Sequence, residues 1–161
     1  MALTPDEVLD RVPAGSGRDE LLPLLLLADD SEIQVRSYYQ RGELFVLRER
    51  VGDPIGLVLA IERPGGEAEL KAVAVAPHRQ GRGGGRRLIA MVLGELRRRG
   101  VRRAIVGTGN CSIGQLAFYQ KAGFRFWKIE RGFFCPARGY PDGIEENGIP
   151  LRDLVWLDQE L

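Results

Sequence analysis

The sequence predicts a mixed α/β fold built on one central sheet, and three observations carry that prediction. Strand-like runs rich in Val, Leu and Ala fill much of residues 43–76, an amphipathic helical pattern occupies 84–99, and another strand-like run follows at 102–108. Strand, helix and strand in that order form a parallel crossover, whose sheet is covered by helices. With 161 residues, 44% hydrophobic and 28% charged, the chain can bury one substantial core and is read as a single domain over 1–161.

The elements follow in order. "TPDEVLDRV" (4–12) is expected to form a short first helix, which leaves residues 1–17 without a convincing strand. The leucine-rich segment 18–28 reads as a second helix. Ser31 and Gln34 have the spacing of a capping box, Gly42 stops the helix they open, and Ile33 and Tyr38 are placed on its buried side. "ELFVLRER" (43–50) and "PIGLVLAIE" (54–62) flank "VGD" as a hairpin, and "AELKAVAVA" (68–76) is a third strand ended by Pro77. In helix 84–99, Leu88, Ile89, Val92, Leu93 and Leu96 form one stripe, and Gly100 closes it. After strand 102–108, Ser112 and Gln115 repeat the capping spacing before a helix over 113–121. Residues 124–134 form a strand, 135–150 a loop long enough to suggest function, and 151–159 the closing strand.

Bulk properties narrow the function. The net charge of +1, from 23 basic and 22 acidic residues, gives no global reason to expect nucleic acid or a membrane surface as partner. "LLPLLLLA" (21–28) is too short for a bilayer and is broken by Pro23. Cys111, Cys135 and the single His78 assemble neither a disulfide framework nor a zinc cluster, so no metal is expected and a reducing, cytoplasmic setting is. The acidic N-terminus does not read as a signal peptide.

Gly81, Gly83, Gly84 and Gly85 sit where helix 84–99 must nucleate, among Arg79, Arg82, Arg86 and Arg87. A turn free of side chains, opening onto a helix N-terminus, lets an anion reach unpaired N–H groups and the positive end of the helix dipole. One or two glycines would serve a tight turn; four with four arginines point to phosphate. Neither the P-loop spacing nor GxGxxG fits, because position 86 is Arg and position 88 is Leu.

What fits is Q-x-x-G-x-G, Gln80–Gly81–Arg82–Gly83–Gly84–Gly85, after "VAVAP" and before an amphipathic helix. With "NCSIGQLAFYQKAGF" (110–124), whose Phe118, Tyr119, Gly123 and Phe124 match F-Y-x-x-x-G-F, the chain resembles the GCN5-related N-acetyltransferases (GNAT) over roughly residues 43–135. The resemblance implies a mixed central sheet flanked by helices and splayed at the cofactor site, with strands 70–76 and 102–108 diverging. It implies acetyl-coenzyme A (acetyl-CoA) as cosubstrate, its pantetheine arm along Val73 and Val75 and its pyrophosphate on the backbone of 81–86. The cofactor-binding set is then Val73, Val75, Gln80, Gly81, Arg82, Gly83, Gly84, Gly85, Arg86, Asn110 and Tyr119, with the Val75 N–H as an oxyanion donor. Tyr119 is either the proton donor to the departing thiolate or a packed helix aromatic. Glu69, eleven residues before Gln80, is either the base, acting through water, or an exposed strand-end carboxylate. Asn110 either bonds the pantetheine amides or shapes its loop, and His78 is expected in solvent. For the acceptor, Glu145 and Glu146 lie in the long loop, whereas Asp29 and Asp30 precede a helix and read as caps. The expected reaction is direct transfer, in a ternary complex, to a primary amine of a small molecule. Acetylation of a protein or peptide, or CoA sensing without turnover, are the alternatives; an open groove between 29–42 and 135–150 would favour a peptide and a walled pocket a small molecule. Dimers are frequent in the resembled family, so a homodimer is possible.

Overall fold

One seven-stranded sheet, antiparallel throughout except for a single parallel pair, organises the chain. A computed structural model describes residues 3–161. The elements are β1 (Glu7–Val12), α1 (Ser16–Asp19), α2 (Leu22–Leu25), α3 (Glu32–Tyr38), β2 (Glu43–Glu49), β3 (Pro54–Arg63), β4 (Glu67–Val75), α4 (Gly84–Arg98), β5 (Arg103–Gly109), α5 (Ile113–Lys121), β6 (Arg125–Glu130), a small hairpin of β7 (Glu145–Glu146) and β8 (Ile149–Pro150), and β9 (Leu154–Glu160). The sheet order is β1-β2-β3-β4-β5-β9-β6, with β4 and β5 the parallel pair. The mixed α/β class and the parallel β4-α4-β5 crossover are as the sequence predicts.

Helices cover both faces of the sheet, which explains the unbroken apolar run of β3. Val58 and Ala60 join Leu88, Ile89, Val92 and Leu96 of α4 on one face, while Leu57 and Leu59 join Leu25, Val35 and Tyr38 on the other. Among the described residues no helix is long and apolar enough to cross a membrane.

The splay lies in the middle of this sheet. β4 and β5 pair only at Glu67–Arg103, Ala68–Ala104 and Glu69–Ile105. Immediately afterwards the β3–β4 register steps from Ala60–Leu70 to Leu59–Ala72, so Lys71 is an extra residue, and this bulge bends β4 away from β5. The Ala76 N–H donates to Ile55 O at 2.8 Å, which turns the polar groups of alternate residues 72, 74 and 76 toward β3. Val73 and Val75 therefore present their N–H and C=O groups to the open gap, where Gln80 Nε2 donates to Val75 O at 3.1 Å.

Several expectations are corrected. Residues 7–12 form edge strand β1 rather than a helix: Val8, Leu9 and Val12 imitate a helical stripe, but the segment pairs with β2 along its length. The leucine segment divides into α1 and α2, with Pro23 in the first turn of α2, where its missing N–H is harmless. Ile33 is 71% exposed and only Tyr38 is buried as expected. Ser31 does cap α3, accepting from the Gln34 N–H at 3.3 Å. Ser112 makes no capping bond and instead donates to Glu146 Oε2 at 3.0 Å. β6 stops at Glu130, just before Gly132, whose φ of 69° no strand continues.

Candidate active site

The four glycines divide their work. Gly81 and Gly83 have φ of 75° and 77°, left-handed values that an L side chain resists. A Cβ on Gly84 would lie 3.3 Å from Ile55 Cγ2, and one on Gly85 would lie 3.1 Å from Val75 Cγ2 and 3.2 Å from the Phe118 ring, so those two let α4 pack close to the sheet. Gly83 is the N-cap of α4 and offers no side chain; the first bond of the helix is from Arg87 N–H to Gly83 O. The N–H groups of residues 81–86 consequently donate to nothing among the described residues. Six successive free donors at a helix N-terminus make an anion cradle. It opens on a cavity of about 600 Å³ lined by Val73, Val75, Gln80, Gly81, Gly83, Gly84, Gly85 and Arg86, with Gln115, Phe118 and Lys121 from α5 facing them. The surrounding arginines are less uniform than the sequence suggests. Arg86 and Arg79 line the cavity, Arg79 while ion-paired with Glu49; Arg82 is exposed and does not, and Arg87 is ion-paired with Glu7.

A second cavity of about 490 Å³ adjoins the first, with Leu27, Val73 and Gln115 lining both. Phe133, Phe134, Tyr140 and Trp156 give it aromatic walls. Two hydrogen bonds bridge its walls and roof part of it, the rest being open to solvent: Tyr140 Oη donates to Asp29 Oδ1 at 2.8 Å, and Gln34 Nε2 donates to Arg138 O at 2.9 Å. Asp29, Asp30 and Glu146 line one end. Burial, followed by the negative charges of Asp29 and Glu146, raises the Asp30 carboxyl above its ordinary pKa.

The candidate residues separate clearly here. Tyr119 lines the second cavity, is 5% exposed, packs edge-to-face on Phe118 and Phe124, and its hydroxyl bonds no group among the described residues. Burial raises its pKa, so the hydroxyl keeps its proton and acts as a hydrogen-bond donor. Glu69 is no exposed strand-end carboxylate: it is 5% exposed, lines the same cavity at the point of the splay, is ion-paired with Arg63, and lies 3.8 Å from Lys71 Nζ. Asn110 lines neither cavity. Its side chain donates to Pro150 O at 3.1 Å and accepts from the N–H groups of Arg152 and Asp153 at 2.9 and 3.0 Å, so it shapes its own loop by tying 150–153 to the end of β5. Glu146 reaches the second cavity, whereas Glu145 is exposed and lines neither, as does His78. Sequence reasoning set Asp29 and Asp30 aside as caps and missed Gln115 and the aromatic walls; the aromatic density of 124–140 was the available signal.

An anion cradle beside a gap between parallel strands defines a class, and comparison with known proteins identifies it. The Acetyltransferase (GNAT) family matches residues 18–124. The uncharacterized N-acetyltransferase YvbK of Bacillus subtilis is 38% identical over 89% of this chain and 90% of its own. The IAA acetyltransferase structure from Bacillus cereus is 38% identical with a TM-score of 0.84, covering 96% of this chain and 99% of that one. A GNAT family acetyltransferase from Elizabethkingia anophelis with acetyl-CoA bound is 34% identical with a TM-score of 0.86, covering 98% and 100%.

The chain belongs to the GNAT acetyltransferase family. It is an acetyl-CoA-dependent N-acetyltransferase, and the free donors at 81–86 beside the unpaired edge of β4 fit a pyrophosphate joined to an amide-bearing arm.

Proposed function

We propose that this enzyme acetylates a primary amine of a small molecule by direct transfer in a ternary complex. The observation that carries the proposal is the bonded roof of the second cavity, where Tyr140 to Asp29 and Gln34 to Arg138 bridge the groove along which a peptide would lie. The cavity volume of about 490 Å³ suits a small molecule. The B. cereus relative named for IAA points the same way.

Acetyl-CoA supplies the thioester. The N–H groups of 81–86 hold its pyrophosphate, Val73 and Val75 extend backbone bonds to the pantetheine arm, and the Val75 N–H supports charge developing on the carbonyl oxygen. The Tyr119 hydroxyl stabilises the departing thiolate as a hydrogen-bond donor. An alkyl ammonium must lose its proton before it can attack, and Glu69 receives that proton through water. Asp30 and Glu146 draw the cationic amine into the cleft. Cys111 and Cys135 are free thiols, in keeping with a cytoplasmic enzyme.

A panel of small primary amines and N-terminal and lysine peptides, read by acetyl-CoA-dependent thiol release, tests the proposal. Turnover of at least one small amine with none of the peptides is expected; peptides turned over in preference to every small amine would overturn it.

A further inference from the structure

Where the second cavity meets the splay, its lining holds a positive charge that nothing there neutralises. Arg63, Glu69 and Lys71 all line the cavity, and both cations converge on the one carboxylate: Arg63 is ion-paired with Glu69 Oε2, and Lys71 Nζ lies 3.8 Å from Oε1. Two cations share a single anion. The Lys71 contact is longer than a hydrogen bond, and its ammonium donates to no group among the described residues. Three N–H donors are therefore available to a ligand.

The surroundings hold this ammonium in place. Lys71 is the extra residue of the β4 bulge and is partly buried. Its Nζ lies 5.0 Å from the centre of the Tyr38 ring, and Tyr38 is itself buried, its hydroxyl donating to Asp29 Oδ2 at 3.4 Å. Beside it, Arg63 Cζ lies 5.8 Å from the Trp156 ring and Arg138 Cζ 4.3 Å from the Phe133 ring, and these two rings pack in one cluster and line the cavity. Arg138 also lines the cavity and has no ion-pair partner among the described residues. A simple amine would leave these cations unanswered in a partly desolvated site; an acceptor that carries an anion answers them.

We propose that Lys71 determines specificity by binding a carboxylate of the acceptor, so that the substrate class is an amino acid or related amino carboxylate. The inference rests on the small-molecule reading above and adds a second charged group to it. Lys71 and Glu69 are two residues apart on β4, so a molecule with its amine close to its carboxylate presents the first to the water-linked base and the second to the ammonium. Charge-assisted N–H···O bonds fix the carboxylate, and the aromatic walls receive the rest of the molecule.

Calorimetric titration of the CoA-loaded enzyme with 3-phenylpropionate, which has no amine to acetylate, reads this subsite without turnover. The wild type is expected to bind it in preference to the neutral 3-phenylpropanol. Lys71→Gln should weaken the acid about tenfold or more, and Lys71→Arg should recover most of the loss. In parallel, acetyl transfer is measured to several amino acids, each against its decarboxylated amine. The amino acids are expected to lead in kcat/KM by about tenfold or more, with Lys71→Gln bringing the ratio toward one. Equal binding of acid and alcohol, or an amino acid to amine ratio that Lys71→Gln leaves unchanged, would overturn the inference while acetylation of small amines stands. Peptides preferred to every small amine would instead overturn the reading beneath it.

Discussion

Tyr140 and Asp29, 111 residues apart in sequence, are joined by a 2.8 Å hydrogen bond that roofs part of the second cavity. Asp29 also accepts from the Ser31 N–H at 3.0 Å, so the carboxylate that turns the chain into α3 also holds the 135–150 loop. Tyr140→Phe removes one bond to a charged acceptor, worth about 1.5–3 kcal/mol at most. The KM for the amine should rise at least about threefold, while the KM for acetyl-CoA stays near its wild-type value. Steady-state kinetics with each substrate varied separately would reveal the split; equal effects on both would place the roof elsewhere.

Gly83 caps α4 in a left-handed conformation beside free donors. Gly83→Ala adds strain of about 1–2 kcal/mol and turns the donors away from their common focus. Calorimetric titration with CoA should show affinity weakened about tenfold or more, in an enzyme that still unfolds cooperatively.

Tyr119→Phe separates chemistry from stability. The hydroxyl bonds no group among the described residues, so its removal should leave the melting temperature unchanged or slightly higher. kcat should fall about 10- to 100-fold, with little change in either KM. A variant of full activity would reduce Tyr119 to a packing residue.

Asp30 makes pH a probe of the cleft. Its pKa is raised in the folded chain by burial and by Asp29 and Glu146. The folded state therefore holds this proton more tightly than the unfolded state, and the ionised carboxylate opposes folding at neutral pH. That opposition is relieved as pH falls through the raised value toward the ordinary carboxylate range. Asp30→Asn should accordingly raise the melting temperature at pH 7, lose that advantage in acid, and raise the KM of a cationic amine. Thermal melts across pH, paired with kinetics, would detect all three.

Arg18 is 1% exposed and donates to four carbonyls, those of Val12, Tyr39, Arg41 and Gly42, at 2.7–3.0 Å. It ties the end of β1 to the turn before β2. Arg18→Met strands those acceptors and should cost about 3 kcal/mol or more, read as a lower midpoint in urea unfolding.

The middle of the chain was the most legible in sequence, and the reason is periodicity. α4 and β2–β5 fall within a residue or so of their expected limits because a buried stripe or an apolar run specifies each, whereas α5, which buries only Tyr119, matches its limits where Gly123, at φ 99°, ends the helical run. β1 was missed because its apolar residues imitate a helix while its pairing energy comes from β2, which no local pattern announces. The turn at 81–86 was legible because backbone geometry writes itself as glycine. The second cavity was not: Asp29, Glu69, Phe133, Tyr140 and Trp156 come from five separate segments, and only the fold gathers them. Asn110 shows the converse, a residue whose neighbourhood suggested a ligand and whose side chain is taken by the closing loop.

The central claim is that bare backbone at 81–86 grips the diphosphate while the thioester lies along the open edge of β4, facing a roofed amine cleft. A crystal structure of the enzyme with acetyl-CoA tests it directly. The account predicts phosphate oxygens within hydrogen-bond distance of these N–H groups and the sulfur beside the Tyr119 hydroxyl. Phosphates bound away from this turn, or a thioester remote from Val73 and Tyr119, would contradict it.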